Sequence, residues 1–141
     1  MDKKIAFLGT PNFAVPILKS IHQGNYKISC VFSQPPRKSN RGHKLNKSPI
    51  HLLSEELGIE IKTPENIEKE IDYIKSLNLD LAIVVAYGQI LSKDILSLSK
   101  NGFINIHASL LPKWRGAAPI QRSLINMDKI TGLSIMKINP K

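Results

Sequence analysis

The sequence predicts an α/β protein with a doubly wound, mostly parallel sheet, and three observations carry that prediction. Apolar segments of strand character alternate with segments of helical spacing along the chain. The run LDLAIVVAYG, residues 79–88, is apolar without alternation, as a strand covered on both faces must be. Clusters of Gly, Pro, Ser and Asn fall between the segments, where βαβ units need their turns.

The first element, KIAFLGT (4–10), is a short apolar run that ends at Gly-Thr-Pro and reads as a buried strand entering a turn. NFAVPILKSIHQG (12–24) has helical apolar spacing and stops at Gly24. YKISCVFS (26–33) is rich in β-branched and aromatic residues, which favours a second strand. Residues 34–49, QPPRKSNRGHKLNKSP, have no periodicity and read as a long loop, a feature uncommon unless functional or disordered. Ser48-Pro49 then looks like an N-cap followed by Pro in the first helical turn, opening a helix that closes at Gly58.

IEIKT (59–63) is a short strand candidate. PENIEKEIDYIKSLN (64–78) opens with Pro and early acids, which suit a helix N-terminus. After the central strand at 79–88, QILSKDILSLSK (89–100) has helical spacing. GFINIHAS (102–109) reads as a strand, GAAPIQRSLIN (116–126) as a helix and TGLSIMKI (131–138) as a last strand. The expected order is β-α-β-loop-α-β-α-β-α-β-α-β, in one domain over the 141 residues.

Composition narrows the function classes. An apolar content of 42% excludes a disordered or collagen-like chain. No apolar run reaches the roughly 18–20 residues that span a bilayer, and the N-terminus runs straight into a strand, so no membrane partner and a cytoplasmic location are expected. The single cysteine, Cys30, lies in an apolar run, which leaves no disulfide framework and no cysteine metal site, and no metal is expected. Twenty Lys and Arg against 11 Asp and Glu give a formal charge of +9, which suits an anionic partner or a solvated lysine-rich surface equally well. Position discriminates better than total charge. Five cations, Arg37, Lys38, Arg41, Lys44 and Lys47, fall in the 34–49 loop with no acid among them.

In doubly wound sheets ligands sit beyond the carboxyl ends of the strands. That rule brings Gly9-Thr10-Pro11, Tyr87-Gly88-Gln89 and Asn105-Ile106-His107 to one edge. GTPNFA is not the glycine pattern of dinucleotide folds; it suits either a phosphate-holding turn or an ordinary strand-to-helix turn. Asn105 and His107 are two apart on a strand, so both face one way while Ile106 turns to the other side. A side-chain amide can donate to a carbonyl oxygen that is gaining charge, and an imidazole can move a proton near neutral pH. The pair fits addition of a nucleophile to a carbonyl without an acyl-enzyme, since no nucleophile elbow is present. The same spacing by itself also suits two polar residues that simply close a strand.

The longer string NIHASLLPKWRGAAPIQRSL (105–124) resembles the signature of the folate-dependent formyltransferase superfamily, and within it the branch acting on methionyl-tRNA. IAFLGTPNFAVPIL, VFSQPPRKSNRGHKL, SPIHLLSEELGI, LDLAIVVAYGQILSKDIL and TGLSIMKI are similar to that family as well, in its order and spacing, so the resemblance covers essentially the whole chain. It implies a Rossmann-like formyltransferase fold, incomplete at its C-terminal end. It implies transfer of a formyl group from 10-formyltetrahydrofolate to the amino group of initiator methionyl-tRNA, in translation initiation.

Carried over residue by residue, Asn105 would bind the formyl oxygen and His107 would assist proton transfer. Ser109, Leu110, Leu111 and Pro112 would form a turn beside the folate. Tyr87, Gly88, Gln89, Ile90 and Leu91 would wall the pterin pocket, with backbone groups reading the pterin edge, and Phe103 would line it. Arg37, Arg41 and Lys44 would contact the tRNA acceptor stem, Arg41 near its first base pair, while Lys38 and Lys47 read as solvated. WRGAAPIQ (114–121) resembles the tRNA branch more than the glycinamide ribonucleotide or amino sugar nucleotide branches, which remain the alternative acceptors.

The sequence departs from the pattern at its end. The family's catalytic Asp would fall just beyond Lys141, and Asn139 does not replace it. The resemblance therefore implies an incomplete N-terminal catalytic domain over 1–141, without the family's C-terminal β-barrel, and a monomer at full length. A remnant that binds folate or tRNA without turnover is the other reading of the same departure.

Overall fold

The computed structural model describes residues 3–24, 26–38, 44–107 and 134–140. Its elements are β1 (Lys3–Gly9), α1 (Ala14–Gln23), β2 (Tyr26–Phe32), β3 (Arg37–Lys38), β4 (Leu45–Asn46), α2 (Pro49–Leu57), β5 (Ile61–Lys62), a 3-10 turn (Ile67–Glu70), α3 (Ile71–Ser76), β6 (Leu81–Val85), α4 (Lys93–Leu96), β7 (Phe103–His107) and β8 (Ser134–Lys137). Six strands form one sheet in the order β5-β2-β1-β6-β7-β8. All neighbours are parallel except β8, which runs antiparallel to β7. The chain builds leftward from β1 through β2 to β5, then returns to the other side of β1 with β6. The switch point lies between β1 and β6.

The continuous apolar runs follow from two-sided burial. On β1, Ile5 and Phe7 face the side covered by α1 and α2, where Leu18 and Ile50 are fully buried. Ala6 and Leu8 face the opposite layer with Ile67, Ile74 and Ile95. Each such large side chain contributes roughly 1.5–3 kcal/mol by leaving water. Cys30 belongs to this second layer, fully buried. Burial pushes its thiol up to about 11, so it stays protonated at neutral pH and acts as a core residue.

Helix α2 forms as its punctuation predicts. The Ser48 hydroxyl accepts from the His51 N–H at 3.0 Å, Pro49 opens the first turn, and Gly58 closes the helix with φ 71°. Three other segments differ from expectation. The 34–49 loop contains the antiparallel pair β3–β4, with Arg37 opposite Asn46 and Lys38 opposite Leu45. Two-residue strands are too short to leave a period in sequence. The predicted helix over 64–78 opens as a 3-10 turn and is α-helical only over Ile71–Ser76. The one over 89–100 shrinks to Lys93–Leu96, because Ser92 caps it and the preceding residues are drawn into side-chain bonds described below. The helix expected at 116–126 lies outside the described residues. Among the described residues no helix is long and apolar enough to cross a membrane.

Candidate active site

The site lies at the carboxyl ends of β6 and β7. On β7 the side chains alternate. Ile104 and Ile106 pack in the α1–α2 layer, and Phe103 packs in the opposite one. Asn105 and His107 continue the Phe103 face, about 7 Å apart along the strand. Asn105 is in register with Val84 of β6 on one side and Met136 of β8 on the other, and His107 with Ser134 of β8. Both polar residues are half-buried. The Phe103 face is covered by apolar side chains at its beginning and opens into a cleft at its end.

That cleft has a volume of about 550 Å³ and is lined by Val84 and Asn105, the segment 89–93, and Ile138 to Pro140. Ile90 stands 93% exposed at this wall, and Leu91 leans back on the core. A cleft of this volume is in the range that holds small organic ligands, and Asn105 presents a side-chain amide to it beside apolar surface. His107 is not among the described lining residues. The side chains of Tyr87 and Phe103 turn into the core, each residue 1% exposed, and only the Tyr87 carbonyl takes part in the wall. Phe103 begins β7 opposite Ala82 and so faces the core layer, while Asn105, two residues on, reaches the open end. Burial pushes the Tyr87 phenol well above its usual range, and its hydroxyl has no hydrogen-bond partner among the described residues.

The wall itself is fixed by an amide network. The Gln89 side chain accepts from the Ile67 N–H at 2.8 Å and donates to Pro64 O and to Gln34 Oε1, both at 3.0 Å. Gln34 Nε2 donates to Gly88 O at 2.8 Å. The Thr10 hydroxyl, at the end of β1, donates to Tyr87 O at 2.8 Å and receives the Gln34 N–H at 3.4 Å. Four segments, at Thr10, Gln34, 64–67 and 87–89, are thus bound into one unit. Gly88 has φ 98°, and a Cβ there would lie 2.7 Å from Gln34 Nε2, so only glycine fits. Sequence reasoning missed Gln34, Thr10, Pro64 and Ile67 as parts of this wall. Their only signal was that Gly9-Thr10-Pro11 and Tyr87-Gly88-Gln89 end adjacent strands.

The 34–47 segment leaves this unit as a basic arm. Arg37, Lys38, Lys44 and Leu45 are exposed, Leu45 at 61%. The arm is closed at its root by a 2.5 Å hydrogen bond between the Ser33 and Ser48 hydroxyls. Lys47, expected to be solvated, donates to both carboxylate oxygens of Glu55 on α2 at 2.9 and 3.0 Å. Arg41, and Ser109, Leu110, Leu111 and Pro112, lie outside the described residues. Among the described residues no three His, Cys, Asp or Glu side chains gather to hold a metal ion.

Comparison with known proteins agrees with this architecture. Methionyl-tRNA formyltransferase of Pelagibacter ubique is 61% identical over 144 aligned residues, which are 100% of this chain and 46% of that protein. The protein of the same name from Caulobacter vibrioides is 49% identical over 138 residues, 96% of this chain and 45% of its own. The chain therefore spans less than half the length of these relatives. Among solved structures, a formyltetrahydrofolate deformylase from Pseudomonas syringae superposes with a TM-score of 0.72 at 18% identity, over 100% of this chain and 47% of that one. Glycinamide ribonucleotide transformylase 1 from Geobacillus kaustophilus gives 0.70 at 16% identity, over 100% of this chain and 77% of its own. At those identities the structures speak for the fold. The sequence profile of the formyl transferase family matches residues 3–141, and the chain belongs to that family.

Proposed function

We propose that the chain is the N-terminal part of the catalytic domain of a methionyl-tRNA formyltransferase, which moves a formyl group from 10-formyltetrahydrofolate to initiator methionyl-tRNA. The observation that carries this reading is Asn105 on the open end of the Phe103 face, lining the cleft, with His107 two residues further on the same face. The names of relatives 49–61% identical over nearly the whole chain support the acceptor. The reading places the protein in the cytoplasm and in translation initiation.

In this reading the cleft beside the 89–91 backbone holds the pterin, and the co-substrate supplies the formyl group. The Asn105 amide donates to the formyl oxygen as that oxygen gains charge, which is where a fixed neutral donor helps most. His107 takes a proton from the attacking amine and delivers one to the departing folate nitrogen. The bond from the formyl carbon to that nitrogen breaks, and the new amide forms on the methionyl group. Ser109, Leu110, Leu111 and Pro112 are proposed for the turn beside the folate, and Arg37, Arg41 and Lys44 for the tRNA.

The test is transfer of labelled formyl in the full-length protein. Asn105→Ala and His107→Ala should each lower kcat by about a hundredfold or more. Wild-type rates in both variants would remove these roles. Faster transfer to glycinamide ribonucleotide than to methionyl-tRNA would reassign the acceptor.

A further inference from the structure

We infer that Gln34 is a positioning residue that joins the basic arm to the cleft wall, so that a polyanionic RNA on the arm and a folate in the cleft act on one hydrogen-bonded unit. The inference rests on the function proposed above. Gln34 sits where the arm leaves the sheet, three residues before Arg37. Its side chain is hydrogen-bonded twice to the wall, donating to Gly88 O at 2.8 Å and accepting from Gln89 Nε2 at 3.0 Å.

The tether between Gln34 and the arm is stiff. Residues 35 and 36 are both proline, so their φ angles are locked and the residue before each is restricted as well. A shift of β3 is therefore passed to Gln34 rather than absorbed. The receiving end is equally constrained. The Gln89 amide uses both its N–H groups and its oxygen on Gln34, Pro64 and Ile67, so it cannot turn without leaving a partner unsatisfied. Gly88 leaves no side chain between the two amides. Gln89 lies in the cleft lining with Asn105.

Reciprocal coupling between two sites follows from such a shared element, and typical coupling is about 5–150-fold in affinity. The test uses the full-length protein. Binding of 5-formyltetrahydrofolate, a probe that does not transfer its formyl group, is measured with and without saturating initiator tRNA lacking its amino acid. The tRNA should tighten the folate at least about fivefold in the wild type. In Gln34→Ala that factor should fall close to one, with folate affinity in the absence of tRNA changed by less than the coupling factor itself. Slower hydrogen exchange of the 87–91 amides on adding tRNA should likewise appear in the wild type and vanish in the variant. If Gln34→Ala does not fold, Gln34→Glu serves in its place. It keeps the acceptor for Gln89 and loses the donor to Gly88 O. An unchanged factor in the variant, or a factor of one in the wild type, overturns the inference. A wild type that binds neither probe removes the proposed function, and this inference with it.

Discussion

The cleft wall at 87–92 and the basic arm at 34–47 start from the same point in the fold and are built on opposite plans. The wall has little regular structure, yet its groups are bonded inward: Tyr87 O to Thr10, Gly88 O to Gln34, the Gln89 amide to three partners, and the Ser92 hydroxyl to Glu68 at 2.9 Å. The arm has a regular pair of strands, yet Arg37, Lys38 and Lys44 are exposed, and the described bonds that tie it down lie at its root. Regular secondary structure is thus no guide here to how densely a segment is hydrogen-bonded to its surroundings. Side-chain amides hold still the segment that lines the cleft beside Asn105. The basic segment keeps Arg37, Lys38 and Lys44 in water and pairs only Lys47 at its root among the described residues.

The largest effect that would break this contrast is expected at the wall. Gln89→Ala deletes three hydrogen bonds and leaves the N–H of buried Ile67 without its acceptor. It should lower stability by about 2–3 kcal/mol, read from exchange of the β1 and β6 amides in urea with the full-length protein. A loss under about 0.5 kcal/mol would mean that the network is not what holds the wall.

At the arm the expected effect is smaller and of a different kind. Arg37→Ala combined with Lys44→Ala should leave urea stability unchanged while weakening tRNA binding. The dependence of log affinity on log salt should become shallower by about two, one for each phosphate no longer neutralised. An unchanged salt slope would place the arm away from the nucleic acid.

The smallest effect sharpens the comparison at its border, on α2. His51 Nδ1 is buried with no partner among the described residues, and burial is the main influence holding this imidazole below its ordinary value of 6.5. Glu55 pulls the other way, and Lys47 adds to the lowering. The unfolded state therefore binds the proton more readily, so stability is full above about pH 6.5 and declines as pH falls from there toward the lower folded-state value. Replacing His51 by Gln should flatten urea midpoints between pH 7.5 and 5.5; an unaltered decline would assign it to other groups.

Much of this molecule is legible in the sequence, for reasons of burial. β1 and β6 lie inside the sheet, so their unbroken apolar runs announce them. Ser48-Pro49 and Gly58 punctuate α2 because orphan backbone groups at helix ends need those residue types. The Asn105–His107 spacing is legible because a strand repeats every two residues. The Gln34–Gln89 pairing is not, since the partners are 55 residues apart and nothing local distinguishes them from other polar loop residues. Tyr87 and Phe103 read as pocket residues because they adjoin strand ends. Only their burial in the folded chain shows that they pack in the core. The short strands of the arm and the four-residue α4 fall below the length at which a period can be read.

The clasp between Ser33 and Ser48 makes the arm an exchangeable part. With its two roots fixed in place, lengthening the segment between them costs only slowly growing loop entropy. The same scaffold can then accept arms of different length and charge while the cleft lined by Asn105 stays as it is. An arm of another length or charge could be grafted at that one clasp.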